Sequence, residues 1–363
     1  MKISLPPVHW TSDLLGSEPF LKVLKGNKGP LVLISDDQVA PLYAPPLLDL
    51  LKSHDLQCAL ITFLAGESSK TRKTKETIED ALLAKKCGRD TLLIALGGGV
   101  VTDIVGFVAA TYLRGISYLS VPTTLLGMVD ASIGGKTGVN VSHAKNVIGA
   151  FYQPLAIFID LSTLETLPDK ELLAGSAEVL KYGLISDRAL YDLLEEEVEE
   201  WTAREAAFLK KVVQKSIQIK QMVVQKDSLE SGLRRILNFG HTIAHAIEAL
   251  EEYALPHGEA VAIGMVIEAL ISYRLNHLKE EDFEAIYVLI KKMGFSLTLS
   301  HKVTTEKMKK ALSLDKKSEK TVPRFVILDG IGKTLSFKGQ YCTAIDETLL
   351  EEALGFMVAE FGV

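Results

Sequence analysis

The chain has 363 residues, 47% of them apolar, with a formal net charge of −6 at neutral pH. That length exceeds a single core and the apolar content can fill two, while the acidic balance and the lack of a long basic run exclude an electrostatic footprint for nucleic acid. The three cysteines, Cys58, Cys87 and Cys342, lie far apart with no C-x-x-C pair, which argues against a disulfide framework or a thiolate zinc site and fits a reducing cytoplasm.

The N-terminus, MKISLPPVHW, has neither the basic and apolar regions of a signal peptide nor an Arg/Ser-rich transit character, so the mature chain is expected to begin at Met1. Its most apolar stretches are too short or too interrupted for a bilayer, which needs roughly 20 apolar residues, and no membrane partner is expected. In chain order, GPLVLISDD, QCALITFLAGE, TLLIALGGGVV, ISYLSVPTT and LAIFID read as buried strands with helical segments between them, which predicts a parallel α/β sheet. From about residue 170 apolar residues recur at helical spacing through AFLKKVVQKSIQIKQMVV, RRILNFGHTIAHAIEAL and AVAIGMVIEALISYRL. We therefore expect a Rossmann-like α/β domain over 1–168 and a mainly α-helical domain over 169–363, divided at Pro168. The charge runs LEEEVEEW and KKSEK read as solvated faces or a mobile loop.

Three features carry chemistry. In IALGGGVVTDIVGF a strand passes through Gly97, Gly98 and Gly99 into a helix, where backbone N–H groups can approach an anion at the positive helix end. Asp36 stands just past an early strand and GESSK supplies Glu67, with Lys70 beside it, past the next; acids at strand ends could hold ribose hydroxyls of a dinucleotide. The segment PTTLLGMVDASIGGKTGVNVSHAKNVIGAF reads as a long glycine-rich loop over a phosphorylated ligand; it carries Thr123, Thr124, Asp130, Lys136, Lys145 and Asn146.

The third feature is a histidine cluster: three of the eight histidines, His241, His245 and His257, fall within HTIAHAIEALEEYALPH. His241 and His245 lie four apart on one helical face, within reach of one metal ion, with His257 as a possible third ligand. Upstream, AEVLKYG sets Glu178 and Lys181 three apart in an apolar helix, where both charges need partners. A carboxylate with two imidazoles and an open position is the plan of a catalytic zinc site.

Together GGGVVTDIVGFVAATYLRG, VPTTLLGMVDASIGGKTGVN, KNVIGAF, AEVLKYG and LRRILNFGHTIAHAIEA followed by LPHGEAVAIGM resemble the 3-dehydroquinate synthase family, in order from about residue 30 to residue 332. The resemblance implies a dehydroquinate synthase-like fold and a homodimer. It also implies a lyase that uses NAD and Zn2+ or Co2+ to release phosphate from the sugar phosphate 3-deoxy-D-arabino-heptulosonate 7-phosphate. The family's chemistry is a transient oxidation by NAD, β-elimination of phosphate, return of the hydride and an intramolecular aldol closure. By motif, Glu178, His241 and His257 match the metal ligands, while His245 matches an active-site residue near the substrate. Lys136, Lys145, Asn146, Lys181, Lys220, Arg234, Asn238 and Lys316, or its neighbour Lys317, match substrate positions, and Arg114 matches one supplied across the dimer interface. Asp130 and Glu230 match carboxylates around the same pocket, giving a catalytic set of Lys136, Asn146, His245, Lys181, Glu230 and Asp130. Asp36, Glu67, Lys70, Gly98, Gly99, Asp103, Thr123 and Thr166 match NAD positions, to which Thr124, Lys136 and Lys145 are added as neighbours.

Three rival readings remain at this level. A glycerol-dehydrogenase-like alcohol dehydrogenase would make net NADH and has no use for so many phosphate-ready cations. Another sugar-phosphate cyclase would differ only in the residues around the substrate. A non-catalytic dinucleotide sensor would need a closed four-ligand metal site.

Overall fold

The computed structural model describes residues 5–11, 13–141, 144–252, 254–314 and 322–363. They divide into two compact units, the first ending at Leu172 and the second running from Leu173 to Val363.

The first unit contains, in chain order, β1 (Val8–Thr11), α1 (Glu18–Gly26), β2 (Leu31–Asp36), α2 (Ala40–Ser53), β3 (Cys58–Phe63) and α3 (Arg72–Ala84). It continues with β4 (Leu92–Gly97), α4 (Gly99–Thr111), β5 (Ser117–Pro122), β6 (Lys136–Val141), β7 (Ala144–Phe151) and β8 (Ala156–Asp160). Six strands form one parallel sheet in the order β1-β8-β5-β4-β2-β3. The side-chain period of two divides the apolar residues of β2 between its faces. Val32 and Ile34 pack with Val101, Ile104, Val105 and Val108 of α4; Leu31 and Leu33 pack with Phe20 and Leu24 of α1 and Leu47 and Leu51 of α2. Each such side chain contributes about 1.5–3 kcal/mol by leaving water, so both faces must be covered by helices. The chain winds outward from β2 to β3 and then returns to β4 on the other side of β2, so the topological switch lies between β2 and β4. Open α/β sheets bind ligands at the carboxyl ends of the strands at that point.

All five strands expected from apolar runs are present, as β2, β3, β4, β5 and β8. The segment expected as one long glycine-rich loop is instead a π-helical turn, Gly127–Ala131, followed by the antiparallel hairpin β6 and β7. Its glycines disguise the strands because they sit where the two backbones meet: a Cβ on Gly149 would lie 1.9 Å from the Thr137 carbonyl oxygen.

The second unit is helical, as expected: α5 (Asp169–Ser186), α6 (Arg188–Glu196), α7 (Val198–Thr202), α8 (Ala206–Lys226), α9 (His241–Leu250), α10 (His257–Arg274), α11 (Glu280–Lys292), α12 (Thr305–Leu314) and α13 (Glu347–Phe361). The central helix is α10, buried on every side from Ala260 to Ser272. The stretch RRILNFGHTIAHAIEAL, which reads as one helical run, is broken: a 3-10 turn spans Leu233–Asn238 and α9 starts only at His241. Gly240, at φ 79°, makes the break. The charged run LEEEVEEW keeps Leu194 and Trp201 buried; KKSEK lies outside the described residues. No helix among the described residues is long and apolar enough to cross a membrane.

Candidate metal centre and anion cradle

At the switch point of the first unit, β4 ends on Gly97, where a Cβ would come within 2.5 Å of the Val101 side chain. Gly98 caps α4, whose first residue is Gly99. Added Cβ atoms at these two positions would meet Thr124 at 3.0 Å and Ala131 at 3.2 Å, so side chains here would fill the space above the helix end. The N–H of Thr123 donates to the Gly97 carbonyl at 3.0 Å, and the Thr123 hydroxyl is buried with no hydrogen-bond partner among the described residues. Such an orphaned donor beside a helix N-terminus suits an anionic ligand. Asp36 is buried at the end of β2, and its Oδ1 accepts the N–H groups of Gln38 and Val39 at 3.0 and 2.8 Å.

Beside this cradle the chain builds a polar cluster around the buried Lys70. Lys70 donates to Asp103 Oδ2 at 2.5 Å and to Asn146 Oδ1 at 2.6 Å. Asn140 ties the cluster together: its Oδ1 accepts the Asn146 N–H at 2.9 Å and its Nδ2 donates to Glu67 at 2.7 Å. Burial raises the Asp103 carboxyl pKa, and the Lys70 ammonium offsets this only in part. Burial also opposes the charge on Lys70, but Asp103 and Glu67 outweigh it, and the Lys70 pKa is raised. Glu67, Lys70, Asp103 and Asn146 are therefore brought together. Thr166 contacts the Tyr43 hydroxyl at 2.5 Å, and the Thr124 hydroxyl accepts the Gly127 N–H at 3.0 Å. Asp130 sits half-buried in the π-helical turn, Lys136 is exposed at the start of β6, and Lys145 is half-buried in β7. Arg114 is exposed at φ 69°, directly after Leu113 at φ 49°.

In the second unit three helices converge. His241 and His257 are the first residues of α9 and α10, and Glu178 lies within α5. Close backbone contacts bring them together. A Cβ on Gly264 of α10 would lie 1.9 Å from the Gly240 carbonyl oxygen, just before α9. A Cβ on Gly258 would lie 2.5 Å from Cα of Ala174, one turn before Glu178 on α5. Ligand atoms of Glu178, His241 and His257 all lie within 4.8 Å of one another. Glu178 divides its oxygens: Oε2 accepts from the Lys181 ammonium, while Oε1 faces Nε2 of His241 at 3.2 Å and Nε2 of His257 at 3.7 Å. Nδ1 of His241 contacts the Phe239 carbonyl at 3.1 Å, and Nδ1 of His257 contacts Glu248 Oε1 at 3.4 Å.

The electrostatics follow from this arrangement. Burial pushes the Glu178 carboxyl up, but Lys181 and the two rings reverse it and hold the group well below the usual carboxylate range. Burial and the Lys181 charge pull His241 down to about 4. Burial also opposes protonation of His257, but hydrogen bonds to Glu178 and Glu248 raise it to about 9 in the metal-free protein. An ionised carboxylate and two imidazoles are a donor set for zinc or cobalt, with a position left for a further ligand.

The three donors that converge are those the resemblance names, not the His241 and His245 pair suggested by helical spacing, and the His245 ring stands 5.7 Å from that of His241. Lys181, which contacts Glu178, and Lys220 and Arg234 elsewhere in the second unit are buried cations. Arg234 donates from Nη1 to the Ser228 carbonyl at 2.8 Å, and Glu230 accepts from Asn238 at 2.8 Å. Lys316 and Lys317 lie outside the described residues. Sequence reasoning missed Asp227, which accepts the N–H groups of Ser231, Gly232 and Arg234, and it missed Asn140 and Glu248. For Glu248 there was a signal, since it falls seven residues after His241 and three after His245 on one face of an apolar helix.

A parallel, doubly wound sheet with a glycine cradle at its switch point, followed by a helical unit holding a two-histidine, one-carboxylate cluster, defines a class of nucleotide-type scaffolds with a metal-ready centre. Within that class the assignment is specific. A family model described as 3-dehydroquinate synthase N-terminal matches residues 60–174, and one described as 3-dehydroquinate synthase C-terminal matches residues 175–318. The chain belongs to the 3-dehydroquinate synthase family. It is 45% identical to the 3-dehydroquinate synthase of Acidithiobacillus ferrooxidans, an alignment that covers 94% of each chain. Among solved structures it is similar to a 2-epi-5-epi-valiolone synthase from Streptomyces hygroscopicus with NAD+ and Zn2+ bound. That likeness has a TM-score of 0.89 at 30% identity over 99% of this chain and 98% of that one. It is also similar to a 2-deoxy-scyllo-inosose synthase complexed with carbaglucose-6-phosphate, NAD+ and Co2+, with a TM-score of 0.86 at 26% identity over 96% of this chain and 95% of that one.

Proposed function

We propose that this protein is a carbon–oxygen lyase of the cytoplasm that converts 3-deoxy-D-arabino-heptulosonate 7-phosphate into 3-dehydroquinate and phosphate, with NAD and a zinc or cobalt ion as cofactors. The observation that carries this reading is the convergence of Glu178, His241 and His257 in a chain of this family. The residues present fit both cofactors: the three donors suit the ion, and the glycine cradle with the orphaned Thr123 hydroxyl suits a dinucleotide. When bound, the ion would supply Lewis acidity toward the substrate's hydroxyls and NAD a hydride acceptor that is regenerated within each turnover.

The chain's own residues do the rest. In the second unit Lys181 keeps Glu178 ionised and turned so that Oε1 meets the histidines. The buried Lys220 and Arg234, with Asn238 held by Glu230, would bind the substrate's phosphate and carboxylate through charge-assisted hydrogen bonds. His245, adjacent to His241 but outside the ligand set, would move a proton at the substrate hydroxyl. In the first unit Asp36 and Glu67 would hold ribose hydroxyls, Gly98 and Gly99 the pyrophosphate, and Lys70, Asp103, Thr123, Thr124 and Thr166 would complete the NAD site. Lys136, Lys145, Asn146 and Asp130 would meet substrate, and Arg114 would serve a second copy of the chain in a homodimer.

The test is to incubate purified protein with the heptulosonate phosphate, catalytic NAD and zinc, following phosphate and NADH together, with and without a chelator. Stoichiometric phosphate and dehydroquinate, no net NADH and loss of activity on chelation are expected. Phosphate released only from a different sugar phosphate would move the assignment to another cyclase, and lasting NADH from an alcohol would move it to a dehydrogenase.

A further inference from the structure

Two carboxylates are buried against the same histidine, and the proposed metal centre uses only one of them. Glu248, on α9, is 3% exposed, and its Oε1 lies 3.4 Å from Nδ1 of His257. A carboxylate so deep in an apolar helix face needs a hydrogen-bond donor, and an imidazole N–H supplies one. The two imidazoles are held in parallel fashion. Each has Nδ1 against an oxygen acceptor, the Phe239 carbonyl for His241 and Glu248 for His257, and each turns Nε2 toward Glu178 Oε1. In the neutral ring that binds a cation, an acceptor at Nδ1 selects the tautomer whose lone pair is on Nε2.

We propose that Glu248 is a positioning residue of the metal centre, accepting the Nδ1–H of His257 so that Nε2 of that ring is presented to the ion. In this arrangement α9 supplies one ligand from its first turn and, seven residues on, the group that orients the other ligand at the start of α10. The inference rests on the reading that Glu178, His241 and His257 hold a divalent cation. Removing such an outer partner weakens metal affinity about 10–100-fold.

The experiment titrates metal-free protein with Co2+, following its visible absorption and measuring affinity by competition with a chelator. Wild type, His257→Ala, Glu248→Gln, Glu248→Ala and the double variant are compared. Wild type should bind one Co2+ and His257→Ala should lose about all high-affinity binding; absence of binding to wild type would overturn the metal reading itself. Both Glu248 variants should bind Co2+ about 10–100-fold more weakly, while the metal-free protein still unfolds in one cooperative transition. In the His257→Ala background, adding Glu248→Ala should cost nothing further, because Glu248 acts through that ring. Wild-type affinity in both Glu248 variants, or a further loss in the double variant, would overturn the positioning role. Glu248→Gln, which keeps the side-chain volume, decides the matter alone should the alanine variant fail to fold.

Discussion

The two units prepare for ligands in opposite ways. The cradle of the first unit is main chain: a strand, three glycines and a helix end contiguous in sequence, with a polar cluster beside it. The centre of the second unit is side chain: Glu178, His241 and His257 come from three helices and are separated by up to 79 residues, the difference between positions 178 and 257. Backbone donors tolerate many neighbouring side chains but no added Cβ, whereas a three-ligand centre fails when one ligand is lost. A local motif therefore suffices for the first, and only helix packing makes the second.

The largest effect expected from breaking this contrast is at the centre. His257→Ala should lower kcat/KM at least about 1,000-fold, since a Lewis acid contributes several kcal/mol. Metal content by atomic absorption should fall with it, while NAD binding persists. His245→Ala sharpens the boundary of the ligand set. It should reduce kcat by roughly 100- to 10,000-fold, the range for a proton-transfer residue, with metal content unchanged; a parallel loss of metal would make His245 a ligand. In the first unit, Lys70→Met leaves the Asp103 carboxylate without its ammonium and should cost about 3 kcal/mol in a denaturant titration. It should also raise the KM for NAD and leave bound metal untouched, the mirror image of His257→Ala.

The smallest effect concerns Asp227. Burial raises its carboxyl, but the N–H groups of Gly232, Ser231 and Arg234 more than reverse this, so its folded pKa is depressed. The stability it contributes is then complete above the unfolded value of ~4 and is lost as pH falls through the lower folded value. Asp227→Asn should lower stability by about 1–2 kcal/mol near neutral pH, and the gap between variant and wild-type melting temperatures should close as pH drops below ~4.

Much of this was legible beforehand. Five parallel strands announced themselves as apolar runs, because strands buried on both faces carry no polar alternation. The hairpin β6 and β7 did not, since Gly138 and Gly149 stand where its backbones touch and where a β-branched residue would have marked a strand. The break before α9 was hidden for a related reason: apolar periodicity runs on through Ile236 and Phe239, and only the φ of Gly240 interrupts it. Asn140 acts through a hydrogen bond to Glu67, 73 residues away, and Asp227 through bonds to main chain folded into a turn, which no spacing rule encodes.

By itself, then, the order of residues determined a parallel α/β unit followed by a helical one, a glycine turn suited to an anion, and a short list of histidines and acids able to hold a metal. The resemblance named Glu178, His241 and His257 among them, and tertiary structure is what brings the three together. Helical spacing favoured His245 as the partner of His241, because neighbours on one helix are certain to be close. Packing puts Glu178 in the place of His245, because Gly258 and Gly264 let α10 approach α5 and the start of α9 more closely than any side chain would allow.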